Sequence, residues 1–86
     1  MPRISTFYGI VIAMYYLDHA PPHFHAIYGE HEATIVIGDL EVLSGFLPTR
    51  ALRLVVEWAE LHGDELAANW QKAREHVPLD SIEPLA

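Results

Sequence analysis

The sequence predicts an α+β fold in which a three- to four-stranded, mainly antiparallel sheet is packed by two C-terminal helices. Residues 6–44 are rich in Ile, Val, Phe and Tyr and are interrupted by glycines, a pattern typical of strands and tight turns. Apolar side chains recur at spacings of three and four over residues 48–76, which indicates helices. A chain of 86 residues has the size of one small domain. We therefore expect one α+β domain over residues 1–86, with a sheet half at 1–47, a helical half at 48–76 and an extended tail at 77–86.

The first predicted strand runs from Thr6 to Tyr16 and is apolar on both alternating faces, which indicates a central strand covered on both sides. A hairpin follows, because residues 23–28 and 33–38 both read as strands around the loop Gly29-Glu30-His31-Glu32. A short fourth strand is predicted at 41–44.

The helical half begins near Pro48, which is tolerated in the first turn of a helix. Gly63 is expected to end the first helix. Asp64 is expected to cap a second helix that reaches about Glu75. The tail is expected to pack back through its apolar residues, which are Leu79, Ile82 and Leu85.

Composition argues against several classes of function. Five basic residues against twelve acidic ones give a net charge of −7, which argues against extended contact with a nucleic-acid backbone. The chain has no cysteine, so disulfides and thiolate metal sites are absent and a cytoplasmic location is expected. We predict no secretory signal and no membrane span, because no apolar run is long enough.

The segment His19-Ala20-Pro21-Pro22-His23-Phe24-His25 carries the most chemistry, since it holds half of the six histidines. The two prolines restrict the backbone ahead of the predicted strand. Successive strand residues face opposite sides of a sheet, so Phe24 is expected to enter the core. His23 and His25 are then expected together on the other, less buried face.

Metal binding is one hypothesis for this motif. Two imidazoles on one side of a strand can converge on one ion, and His19 or Asp18 can supply a third ligand. Nitrogen and oxygen ligands without sulfur suit a divalent metal such as zinc, and also nickel, manganese or iron. The predicted metal ligands are His19, His23, His25 and Asp18.

Two other interpretations of the motif stay open. His23 and His25 can be ordinary half-exposed sheet residues, with His19 and Asp18 bonded to the turn backbone. Alternatively, His23 and His25 can act as the acid and base of a small hydrolase or ribonuclease, because imidazole exchanges protons near neutral pH.

Several short segments of the sequence are distinctive when they occur together. They are Ile4–Ile12, Met14-Tyr15-Tyr16, Asp18-His19, Pro21–Ala26, Leu52–Val55, Trp58–His62 and Asn69-Trp70. In these segments the chain resembles a bacterial family called domain of unknown function 4160. The resemblance implies a small protein encoded beside another, of the family domain of unknown function 2442, in an arrangement similar to a toxin–antitoxin pair. It implies no role for any single residue.

The first predicted strand also favours association, because so short a chain covers both apolar faces poorly. We expect a homodimer or a complex with a cognate small protein. The leading hypothesis is a cytoplasmic, toxin–antitoxin-like or regulatory module that acts through a protein partner and uses the histidine motif as its functional site. The alternative is the small hydrolase or ribonuclease that uses His23 and His25.

Overall fold

The computed structural model describes residues 2–86 and shows five strands followed by two helices. The α+β class and the two C-terminal helices are confirmed, whereas the predicted number of three to four strands is wrong. The elements are β1 (Arg3–Phe7), β2 (Ile10–Ala13), β3 (His23–Tyr28), β4 (His31–Val36), β5 (Val42–Gly45), α1 (Thr49–Leu61) and α2 (Gly63–Arg74). The strands form one antiparallel sheet in the order β1-β2-β3-β4-β5.

The extra strand arises because the segment predicted as one strand is a hairpin. Tyr8 and Gly9 both have positive φ angles, of 50° and 79°, as a two-residue hairpin turn requires. Phe7 therefore pairs with Ile10, and both side chains are buried. The predicted strand had two apolar faces because two strands were treated as one. This pattern therefore gives no reason to expect another chain over β1.

The β3–β4 hairpin is tighter than predicted. Tyr28 pairs with His31, so the loop contains two residues and not the four expected. Phe24 consequently pairs with Ile35. This shift of two residues leaves every side chain on its predicted face, because side-chain direction in a strand repeats every two residues. Phe24 is fully buried, as predicted.

Helix α1 packs its apolar side on the core face of the sheet. The Trp58 ring lies 5.3 Å from that of Phe7 and 6.0 Å from that of Phe24, measured between centroids. Helix α2 begins at Gly63, so Asp64 lies in its first turn and is not its cap. Within residues 2–86, neither helix is long and apolar enough to cross a membrane.

The tail packs against the domain, as predicted. The Asn69 side chain of α2 donates to the Asp80 carbonyl at 2.9 Å and accepts from the Asp80 N–H at 2.9 Å. The Trp58 indole donates to the Glu83 carbonyl at 2.8 Å. Ile82 is buried, and its N–H donates to the Ile4 carbonyl at 2.7 Å. The tail therefore connects both helices to β1.

Strand β5 forms an exposed edge that approaches β4 closely. Gly45 has a φ of 83°, and a Cβ atom there would collide with the backbone carbonyl oxygen of Glu32. That carbonyl also accepts a hydrogen bond of 3.1 Å from the Phe46 N–H. Only glycine permits this approach, because any side chain at position 45 would separate the two strands.

Candidate metal centre

Asp18, His23 and His25 come together at the start of β3. One oxygen, Asp18 Oδ2, lies 2.9 Å from His23 Nε2 and 3.3 Å from His25 Nε2. One ligand atom from each of the three residues lies within 4.8 Å of the others. Two imidazole nitrogens and a carboxylate oxygen thus converge on one point.

The loop that carries Asp18 is held on both sides. The N–H of Leu17 donates to the carbonyl of Ala73 at the end of α2, at 3.4 Å. After the cis Ala20–Pro21 bond, the Pro22 carbonyl accepts a hydrogen bond of 2.9 Å from Ile37. These bonds bring the loop back over β3, so Asp18 reaches side chains five and seven residues further along the chain.

His23 is fixed by a backbone acceptor and an aromatic ring. Its Nδ1 lies 2.7 Å from the Pro21 carbonyl oxygen, and its ring centroid lies 5.1 Å from that of Trp70. The prediction that both histidines lie on the less buried face is wrong for His23, which is only 5% exposed. The difference arises because α2 places Trp70 against this end of β3.

His25 is half-buried and is held by residues of β4. Its Nδ1 lies 3.2 Å from Glu32 Oε2 and 3.4 Å from the hydroxyl of Thr34, its partner in the sheet. Tyr15 stacks edge-on against the ring at a centroid distance of 4.3 Å. A carboxylate on Nδ1 fixes the orientation of a histidine whose Nε2 binds a metal in many proteins.

Oxygen acceptors lie against both nitrogens of each histidine ring, so the site is stabilised by additional positive charge. The Pro21 carbonyl can only accept, so His23 Nδ1 must carry a proton. In a neutral ring Nε2 then presents a lone pair to the Asp18 carboxylate, which repels it. His25 lies between the carboxylates of Glu32 and Asp18, so a neutral ring likewise leaves one nitrogen lone pair facing a carboxylate. Additional protons or a bound cation between the Nε2 atoms and Asp18 Oδ2 remove this repulsion.

The electrostatics of the cluster favour an ionised Asp18. Burial alone raises the pKa of this carboxyl, but hydrogen bonds from the His19 N–H and from His23 and His25, when their Nε2 atoms carry protons, outweigh burial and hold the pKa below its ordinary value. Burial, followed by the charges of Glu32 and Asp18, raises the pKa of the Tyr15 phenol. The cluster thus favours the carboxylate form of Asp18 and disfavours the phenolate form of Tyr15.

Of the four predicted metal ligands, three converge and His19 does not. His19 is exposed and contributes its backbone N–H, which donates to Asp18 Oδ1 at 2.8 Å. The sequence analysis missed Glu32 and Thr34, because the four-residue loop displaced both from His25. A two-residue loop around Gly29 would have placed Thr34 opposite His25.

Comparison with known protein families identifies a match over most of the chain. A family model described as a domain of unknown function, DUF4160, matches residues 9–71, which include the three converging residues, Glu32 and Trp70. No curated protein and no solved structure matches the chain. Since the matched segment is well over half of the 86 residues, the chain belongs to the DUF4160 family.

Proposed function

We propose that this protein binds a divalent transition-metal ion through Asp18 Oδ2, His23 Nε2 and His25 Nε2. The observation that carries the proposal is the orientation of both rings. Each Nδ1 lies against an acceptor, and each Nε2 lies against the same carboxylate oxygen, at 2.9 and 3.3 Å. A divalent ion between these three atoms meets the demand for positive charge with both imidazoles neutral.

The ligand set supports particular metals. Two imidazoles and one carboxylate on one side of an ion form the set found in non-haem iron(II) sites with open positions. Zinc also binds nitrogen and oxygen ligands and keeps an open position in catalytic sites. The Pro21 carbonyl and the Glu32 carboxylate occupy the outer positions that orient metal-bound histidines.

A protonated pair of histidines is the competing explanation. Two imidazoliums flanking Asp18 and Glu32 would satisfy the same hydrogen bonds without a metal. The structure gives less support to acid–base catalysis by His23 and His25, because both nitrogens of each ring are already engaged. The two explanations that remain differ in their response to added ion.

The test is a calorimetric titration of tag-free protein, first treated with a chelator, with zinc or cobalt(II). We expect one ion per chain and a rise in melting temperature, because a ligand of the folded state stabilises it. Affinity should fall below about pH 6, where protons compete for imidazole.

The double substitution His23→Ala with His25→Ala should abolish the response. His62→Ala with His76→Ala is the matched control and should preserve it, since neither residue belongs to the converging set: His62 bonds Glu65 and His76 contacts Tyr16. A response that survives the first pair, or no binding by the wild-type protein, would refute the site and favour the protonated pair.

A second proposal concerns association, because the edge strand exposes apolar side chains. Val42, Leu43 and Phe46 are 40, 52 and 62% exposed, and β5 leaves one edge of the sheet unpaired. We propose that a second copy pairs through this edge, since antiparallel pairing of two identical strands is self-complementary. Such a dimer would suit a cytoplasmic bacterial module of the toxin–antitoxin-like or regulatory kind, in which a cognate protein competes for the same edge.

Sedimentation at micromolar concentration tests this second proposal. We expect a dimer that Leu43→Glu converts to a monomer, whereas Leu61→Glu, at an even more exposed position on α1, should leave it intact. A monomeric wild-type protein would refute self-association. Complex formation with the neighbouring gene product would then favour that product as the protein that pairs with the β5 edge.

A further inference from the structure

A cavity of about 370 Å³ lies beside the candidate metal centre, between the loop that carries Asp18 and the end of α2. Its walls are Leu17, Asp18, His19, Ala20 and Arg74. Asp18 therefore belongs both to this cavity and to the converging ligand set. A group bound in the cavity lies next to the proposed ion.

Approach to the ion is most open on the Asp18 side. The side chains of His23 and His25 are 7% and 13% exposed, while that of Asp18 is 23% exposed. Trp70 packs on the first ring and Tyr15 on the second. The cavity is thus the route by which a further ligand can reach an ion held by these three residues.

Arg74 gives the cavity a cationic wall. The other basic residue in the last turn of α2, Lys72, forms an ion pair with Asp80 of the tail, whereas Arg74 forms none with any residue between 2 and 86. Its place beside the loop is fixed by the hydrogen bond from the Leu17 N–H to the Ala73 carbonyl. This exposed guanidinium, in the same cavity as Asp18, is therefore available to bind an anion.

We propose that this cavity binds the oxyanion group of a substrate, with one oxygen on the ion and the others on Arg74. The inference rests on the metal site proposed above. A guanidinium presents parallel N–H donors that match the oxygens of a phosphate or a carboxylate. His19, which lies outside the ligand set, lines the same cavity and can donate to the bound oxyanion.

The net charge of the chain makes the ion a requirement for anion binding. In a chain with a net charge of −7, a single arginine faces a field that opposes anion binding. A divalent ion reverses the sign of the local charge. We therefore expect anion binding to the metal-loaded protein and not to the metal-free protein.

The experiment loads the protein with cobalt(II) and follows its visible absorption during titration with inorganic phosphate and, separately, with acetate. At least one anion should perturb the spectrum saturably, and the tighter one identifies the phosphate or the carboxylate as the source. Arg74→Gln should weaken that anion by about tenfold or more, as loss of a charge-assisted pair predicts, with cobalt affinity changed by less than about twofold. Arg53→Gln, an exposed arginine on α1, is the matched control and should change neither affinity.

The outcomes separate the two proposals. If cobalt binds but neither anion perturbs it, or if Arg74→Gln behaves like Arg53→Gln, the oxyanion site is wrong and the metal site stands. Equal anion binding to the cobalt-free protein, measured by calorimetric titration, also overturns the joint site. If the wild-type protein does not bind cobalt, both proposals fall together. Arg74 also complements the dipole of α2, but that role would lower stability equally with and without anion.

Discussion

The two faces of β3 show opposite ways of holding a side chain. Phe24 is fully buried and contacts Trp58 and Ile35, so its position depends on close packing of apolar surfaces. His25, its neighbour in sequence, is half-buried and is held by three polar partners and by edge contacts with the rings of Tyr15 and His23.

The comparison shows that one strand can separate stability from chemistry. Hydrophobic burial is non-directional and tolerates changes of neighbour, whereas hydrogen bonds fix both the orientation and the proton position of an imidazole. We therefore expect substitutions on the core face to change the free energy of unfolding most. Substitutions on the histidine face should instead change ligand affinity or its dependence on pH.

The largest effect is expected from Phe24→Ala. The fully buried ring leaves a cavity, so the free energy of unfolding should fall by about 3–5 kcal/mol. His25→Ala, measured in the same urea melts of chelator-treated protein, should cost much less. Equal losses would mean that the two faces are not separated as described.

The second-largest effect on the free energy of unfolding is expected from Asp18→Asn, and this effect should depend on pH. Because the folded protein lowers the pKa of Asp18, the carboxylate stabilises the fold above its ordinary value of 3.8, and this contribution is lost as pH falls through the folded value. In metal-free protein we expect a loss of about 1.5–3 kcal/mol near pH 6, as for a charged hydrogen bond.

Urea melts of Asp18→Asn and wild-type protein should then begin to converge once the pH is lowered below 3.8, the ordinary pKa of this carboxyl. The Phe24 side chain does not titrate, so the loss in Phe24→Ala should stay constant over the same range. A difference between wild type and Asp18→Asn that is independent of pH would contradict the role given to the carboxylate.

The smallest effect on stability is expected from Glu32→Gln. Glu32 contacts His25 Nδ1 and is about half-exposed, so its loss should leave the urea midpoint nearly unchanged. Metal affinity should fall by about 10–100-fold, as for other outer partners of a metal-bound histidine. Glu30→Gln, in the adjacent turn, is the control in the same calorimetric titration, and equal effects of the two would remove Glu32 from the site.

The sequence allowed prediction of the parts of this molecule that depend on local pattern. Alternation placed Phe24 in the core, and helical spacing located α1 and α2. The Tyr8-Gly9 turn was missed because Tyr8, a residue with a Cβ, adopts a positive φ that its type does not predict.

The candidate site was predicted only in part, because its geometry depends on contacts distant in sequence. His23 is buried by Trp70, and the Asp18 loop is held by Ala73, both contributed by α2. No local pattern encodes such contacts. Arg74 for the same reason had no link to the motif until the fold brought the end of α2 to the loop.

The close approach of β5 to β4 at Gly45 gives Glu32 two roles. Its backbone carbonyl meets the edge strand, and its carboxylate meets His25. Glu32 therefore connects the β5 edge, the proposed pairing surface, with the proposed metal site. Where two ligands both bias the position of such a residue, each changes the affinity of the other by the same factor. Metal binding would then change the affinity of pairing at β5, and pairing would change the affinity for metal, through Glu32 of β4.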